Sequence, residues 1–396
     1  VNTADLTAAI GWLFFIKKKE ERMFGIGLVG MPGSLSLSMI CPGVCRIYLV
    51  GMLFLLVLAG CSLSPTLVWG QATPPIRPAP ALLVHGNRIV TASGQVVYLH
   101  GANRSTFSPF CQGDSHYDRA GFLAMRAWDI NVVRLTLNQH FWLDSNHSCP
   151  GYRDAVRRAV AVAISVGLNV ILDLHWNDCA DACPSGQQPM ADRQSIAFWR
   201  SVATTFRDND AVLFDLYNEP HGISWNCWRN GGCVVAADTD PGVSYPVAGM
   251  QQLLDAVRGA GAHQVVLAAG PGWASDVTGW QAYLLHDPDH NLAVSFHVYN
   301  FSYCNSLDCW NSTLAPLAQS YPVVATELGE YDCSSRFIRS FMDWADQHGI
   351  GYLGWTWETD SQCPGASRMI VSWDGRPTPM GLGFYQHYLH VANLSY

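Results

Sequence analysis

Two glutamates lie in short segments whose neighbours suit acid and base chemistry: Asn218-Glu219-Pro220 and Thr326-Glu327-Leu328-Gly329. Each follows an apolar run, at the point where a strand would give way to a loop. A pair of carboxyl groups facing each other is the minimal machinery for cutting a glycosidic bond. One must be protonated to supply a proton to the departing oxygen, and the other ionised to attack the anomeric carbon. Neighbours would set that difference. Arg134 would place positive charge near Glu327, and Tyr299 would donate a hydrogen bond to it. Glu219 has no cation in its own segment and is expected to hold its proton more tightly. Asn218 would bind a sugar 2-hydroxyl, His175 and His297 would complete the hydrogen-bond network, and Trp355 would offer a flat apolar face for stacking. Any one of these residues has an ordinary structural explanation; their joint placement at the ends of apolar runs is what points to a site.

The elements that would carry them can be counted. Short runs recur at Val97–His100, Asn131–Leu135, Asn169–His175, Val212–Tyr217, Gln264–Ala268, Leu292–His297, Pro322–Thr326 and Gly351–Trp355. The material between them has helical period: Ile196, Trp199, Val202, Ala203 and Phe206 fall on one face, as do Val247, Met250, Leu253, Leu254 and Val257. Eight βα units predict a closed (β/α)8 TIM barrel with one catalytic domain over residues 81–396. Strands four and seven then lie across the barrel from one another, and their ends carry Glu219 and Glu327. Asp173 and Asp215 are expected to serve the barrel, and Glu330, Glu358 and Asp360 are loop carboxylates without a role.

The N-terminal residues read differently. Residues 1–38 are expected to be an over-extended reading frame. Arg46 and the apolar run Ile47–Ala59 have the form of an export signal within residues 39–70, too short to span a bilayer comfortably. Leu58-Ala59-Gly60-Cys61 resembles a bacterial lipoprotein signal, so a lipid anchor at Cys61 is one exit, and cleavage after Val68-Trp69-Gly70 is the other. A Pro-rich linker spans 71–80. The expected location is therefore extracellular. Ten cysteines follow the signal, and an even number in an exported chain reads as disulfides. Pairing in order would join Cys111 to Cys149, Cys179 to Cys183, Cys227 to Cys233, Cys304 to Cys309 and Cys333 to Cys363. Zinc is the weaker reading because the spacings lack a tetrahedral set with nearby His. With 23 Lys+Arg and a formal net charge of -8, the chain has no basic footprint for nucleic acid. Its 15 Trp suggest aromatic platforms, among them Trp142, Trp176, Trp225, Trp228, Trp273, Trp280 and Trp310.

Five segments carry a family resemblance: Val132-Val133-Arg134-Leu135, Leu172-Asp173-Leu174-His175, Leu216-Tyr217-Asn218-Glu219-Pro220, His297-Val298-Tyr299 and Thr326-Glu327-Leu328-Gly329. In order and spacing they resemble the signature segments of glycoside hydrolase family 5, the cellulase family of clan A, over about Ala81 to Leu389. The resemblance implies retention of configuration by double displacement, with Glu219 as acid/base and Glu327 as nucleophile and with no metal or other cofactor. It implies that Arg134, His175, Asn218, His297, Tyr299 and Trp355 surround the substrate; Trp357, two residues on, is the competing choice for Trp355. An endo-β-1,4-glucanase acting on plant polysaccharide as a monomer is the expected activity, with an endo-β-1,4-mannanase or an exo-acting β-glucosidase as alternatives. A metal-dependent amidohydrolase would need paired His ligands that His100-Gly101-Ala102-Asn103 lacks. A sugar-binding barrel without catalysis is opposed by the presence of both glutamates.

Overall fold

The computed structural model describes residues 76–359 and 367–394. Eight parallel strands close into a barrel: β1 (His100–Arg104), β2 (Val132–Asn138), β3 (Asn169–Trp176), β4 (Val212–Asp215), β5 (Val266–Ala269), β6 (Leu292–Tyr299), β7 (Val323–Gly329) and β8 (Gly351–Gly354). Each pairs with its sequence neighbour, and β8 closes on β1 through His100 opposite Tyr352. Both expected helical faces pack on this barrel. The first belongs to a helix over Arg193–Phe206, whose start is fixed by Asp192 accepting from the Gln194 and Ser195 amides; the second belongs to Met250–Gly259, except for Val247, which precedes the helix and bridges to Asp192.

The barrel interior is built in layers, as alternate residues of each strand point inward. Its lowest layer is apolar: Leu99, Val132, Ile171, Leu213, Leu267, Ala293, Val324 and Leu353 form one buried cluster, joined by Leu82 and Ile89. Those last two come from a hairpin, Leu82–His85 and Arg88–Thr91, that precedes the first barrel strand. A second cluster fills the space between strands and helices.

Two of the departures from the expected strand boundaries bear on the site. The apolar run Val97–His100 is not β1; the strand begins at its last residue and continues through Gly101-Ala102-Asn103-Arg104. Small residues are needed there because a Cβ on Gly101 would collide with the Val132 carbonyl of β2, so the segment lacks the β-branched signature of a strand. The strand carrying Arg134 also does not end there: β2 continues four residues beyond it, which sets Arg134 in the body of the barrel.

Four disulfides join Cys111 to Cys149, Cys179 to Cys183, Cys227 to Cys233 and Cys304 to Cys309, with Cα atoms 5.4 to 5.8 Å apart. Their sulfurs are thereby committed and do not serve as zinc thiolates. The fifth expected pair involves Cys363, which lies outside the described residues, as do the expected leader and anchor over residues 1–70 and the first part of the linker. The described end of the linker is held to the barrel: the Ala79 amide donates to the Ile164 carbonyl and Asn169 donates to the Pro80 carbonyl.

Candidate active site

Two residues above the apolar layer, on the same strand faces, the interior turns polar. Arg134 stands over Val132, Asp173 over Ile171, Asp215 over Leu213, Ser295 over Ala293 and Thr326 over Val324, all fully buried. A guanidinium has five N–H donors, and this one spends them on five neighbours. Nε donates to Asp215 at 3.0 Å; Nη1 donates to Asn103 at 3.1 Å and Glu327 at 2.9 Å; Nη2 donates to Asn218 at 2.8 Å and pairs with Asp173 at 3.0 Å. Burial disfavours its charge, yet Asp173, Asp215 and Glu327 outweigh burial and hold it protonated beyond its ordinary range. Burial also pushes Asp173 and Asp215 up to about 7, against the pull of Arg134.

The next layer is the barrel mouth. Glu327 reaches it through an irregularity in β7: Phe296 of β6 opposes Ala325 while His297 opposes Glu327, so Thr326 is an extra residue. Such a bulge re-aims side chains. Thr326 meets Ser295 at 2.6 Å, and Glu327 still faces the interior. Tyr299 donates to Glu327 Oε2 at 2.6 Å, and its own hydroxyl is kept protonated by burial and by that carboxylate. Glu219, four residues past the end of β4, meets His297, whose Nδ1 lies 3.0 Å from Glu219 Oε1 and 3.5 Å from Glu327 Oε2. Burial lowers the His297 pKa to about 3, so the ring is neutral. One oxygen of each glutamate and a His297 nitrogen lie within 4.8 Å of one another.

Burial pushes both glutamates up. The positive charge of Arg134 does pull Glu327 down, but burial outweighs it. What separates the two acids is their contacts. Two donors, Arg134 and Tyr299, stabilise the Glu327 anion, whereas Glu219 meets the neutral His297 ring and is drawn down by the charges of His175, His221 and Arg134, and repulsion between the two favours a single shared proton. The Glu219 side chain keeps 16% of its surface exposed, against 4% for Glu327, so it is the one more within reach of an entering ligand.

The remaining expected residues converge on the same mouth. His175 donates from Nδ1 to Asp173 at 2.6 Å and stacks on Trp355, the planes within 6°. Asn218 accepts from Arg134 and donates to Gln187. Trp355 is half-buried beside His175, whereas Trp357 is buried in contact with Trp128.

A family model described as cellulase (glycosyl hydrolase family 5) matches residues 90–361. The chain belongs to glycosyl hydrolase family 5. Its relatives within and around that family include an endoglucanase from Streptomyces lividans, 23% identical over 66% of this chain and 52% of that protein. A mannan endo-1,4-beta-mannosidase from the same organism is 25% identical over 69% of this chain and 65% of its own. The chain thus spans little more than half of one and under two thirds of the other. Among solved structures, a beta-glucanase from Saccharophagus degradans superposes with a TM-score of 0.62 at 18% identity, covering 82% of this chain and 98% of that one. A beta-mannanase from Thermomonospora fusca superposes at 0.60 and 20% identity, covering 78% and 95%. At such identities these likenesses show the shared barrel fold.

Within this family 5 chain, some residues of the site carried no clear sequence signal. Asn103 donates to the Thr326 and Gly354 carbonyls and accepts from Arg134, tying β1 to β7 and β8. Asp173 and Asp215, expected to serve the barrel, hold the underside of the site. Their period-two spacing from His175 and Tyr217 was the available clue. Glu330 instead accepts from the Phe337 amide at the start of the helix Arg336–His348, and Glu358 pairs with Arg368 and Ser105. Asp360 lies outside the described residues. Of the tryptophans expected to line a cleft, Trp142, Trp228, Trp280 and Trp310 are buried core, and Trp176, Trp225 and Trp273 are half-buried.

The shared guanidinium makes a stability prediction. Arg134→Met should cost about 3–5 kcal/mol, because it leaves buried carboxylates without a counter-charge. Denaturant unfolding would measure this, and a loss below about 1 kcal/mol would show that Asp173 and Asp215 are not held as its ion-pair partners.

Proposed function

We propose that the chain is a retaining endo-β-1,4-glucanase that hydrolyses β-1,4 bonds of plant polysaccharide by double displacement. The observation that carries the reading is the unequal glutamate pair. One oxygen each of Glu219 and Glu327 lie no more than 4.8 Å apart, short of the roughly 6.5 to 9.5 Å that an inverting enzyme leaves for water and compatible with the roughly 5 to 5.5 Å of retaining enzymes. Glu327 attacks the anomeric carbon while Glu219 protonates the leaving oxygen; Glu219 then takes a proton from the water that displaces Glu327. Trp355 and His175 flank the sugar, and Arg134 and Tyr299 keep the nucleophile ionised and aimed. Glucan is favoured by the endoglucanases among the relatives; mannan is the competing substrate. Four disulfides support an oxidising compartment, in keeping with an extracellular enzyme.

The test is product analysis on carboxymethylcellulose, glucomannan and short oligosaccharides. A fall in polymer length with a β-configured first product is expected. Dominant release of glucose from chain ends would overturn endo action, and an α-configured first product would overturn retention.

An aromatic step beside the site supports a chain-binding cleft. Phe301, 51% exposed, stacks on Tyr299 with ring centroids 5.2 Å apart and meets Tyr331 at the same distance. Stacking of this kind contributes about 0.5–1.5 kcal/mol. Phe301→Ala is therefore expected to raise KM for oligosaccharides about two- to tenfold with kcat little changed, the pattern of lost uniform binding. Unchanged KM and kcat would place Phe301 outside the cleft.

A further inference from the structure

His221 follows Glu219 by two residues, and both of its ring nitrogens meet acceptors. Nδ1 lies 2.7 Å from the main-chain oxygen of Glu219, and Nε2 lies 2.7 Å from Asp238 Oδ2. A carbonyl oxygen and a carboxylate accept hydrogen bonds and cannot donate them. A neutral imidazole has one N–H, so it would leave one of these contacts as lone pair against lone pair. A proton on both nitrogens satisfies both. The alternative, a proton resting on Asp238, is disfavoured because that side chain is 44% exposed and water stabilises its anion.

The surroundings suit a cation. The His221 ring lies on the Trp273 indole with centroids 3.5 Å apart and planes within 6°, an arrangement in which the aromatic face attracts positive charge. Trp273 also belongs to a loop that grips the site from two sides. Its amide donates to the Pro220 carbonyl, and the Ala274 carbonyl accepts from the His297 amide. Both Trp273 and Ala274 are in the left-handed region, with φ of 60° and 58°, an uncommon conformation for residues with side chains. The same loop thus braces the segment that carries Glu219 and the histidine that touches its carboxyl.

We propose that His221 is a positioning residue, an imidazolium clamped between Asp238 and the Glu219 main chain, that fixes the acid/base segment and tempers its carboxyl so that it can both give and take a proton. The inference rests on reading Glu219 as the acid/base. Burial alone raises the Glu219 pKa, which makes it a reluctant proton donor in the first step and a strong base in the second; a nearby fixed cation offsets burial and eases the donation without joining the proton transfer. The charge of His221 does pull the Glu219 carboxyl down, after that of His175 and ahead of Arg134. Asp238 is the charge facing His221 from the neighbouring segment, with Tyr217 and Tyr245 near that carboxylate. Glu219 itself is also faced by His297, and Glu327 lies across the mouth.

The test compares His221→Gln and Asp238→Asn with the parent chain in pH profiles of kcat/KM, alongside nitrogen NMR of the His221 ring. Both substitutions weaken the cation and should let the Glu219 carboxyl rise, moving the alkaline limb upward by about half a pH unit or more. The parent ring should show two protonated nitrogens at neutral pH. An unmoved alkaline limb in both variants, or a ring with a single proton, would overturn the proposal. Should His221→Gln fail to fold, the exposed Asp238→Asn and the NMR of the parent still decide. If the parent hydrolysed no β-glycan, the function reading would fail by itself, while the ring protonation and a carbon NMR titration of the Glu219 carboxyl would still test the clamp.

Discussion

Replacing Glu327 by Gln is expected to abolish turnover, on the order of the million-fold loss that removal of a hydrolase nucleophile produces. The amide keeps the size of the carboxylate and can still accept from Arg134 or Tyr299, so the mouth should retain its shape. Arg134 also keeps Asp173 at 3.0 Å and Asp215 at 3.0 Å, and its buried charge remains countered. Folding stability should therefore change little and oligosaccharide binding should persist, which calorimetric titration can measure beside the rate. Residual hydrolysis within about a hundredfold of the parent enzyme would remove Glu327 as nucleophile, since such a loss is no larger than that from one general acid or base. Loss of binding together with activity would point instead to a damaged mouth.

The sequence made the barrel legible because six of its eight strands are buried β-branched or apolar runs, and because Glu219, His297 and Glu327 stand at or near the ends of theirs. It did not place β1, whose Gly101 is demanded by close approach of β2 and so removes the usual strand signature. Nor did it disclose the bulge at Thr326. Counting alternate residues from Val324 puts Thr326 inward and Glu327 outward; only the register shift against β6 brings both to the interior. The sharing of Arg134 was also hidden. A lone Arg in an apolar run announces a buried charge, but that its partners are Asp173, Asp215 and Glu327 together follows from barrel stagger, which sets residues of different strands at one height.

Replacing Glu219 by Ala should separate substrates by leaving group. With a natural glycan, whose departing hydroxyl is a poor leaving group, loss of the general acid should cost about a hundred- to ten-thousandfold in kcat/KM. With an activated aryl glycoside, whose departing phenolate needs no proton, the first step should be nearly spared. The second step still lacks its base, so the glycosyl-Glu327 intermediate should accumulate and appear as a burst of phenolate. A small anion such as azide, needing no deprotonation and free to occupy the vacated space, should speed that step. The pH profile sharpens the test. Removal of Glu219 should abolish the alkaline limb set by the acid, while the acidic limb set by ionisation of Glu327 stays. Equal loss on both substrate classes, with both limbs in place, would show that the proton comes from another group.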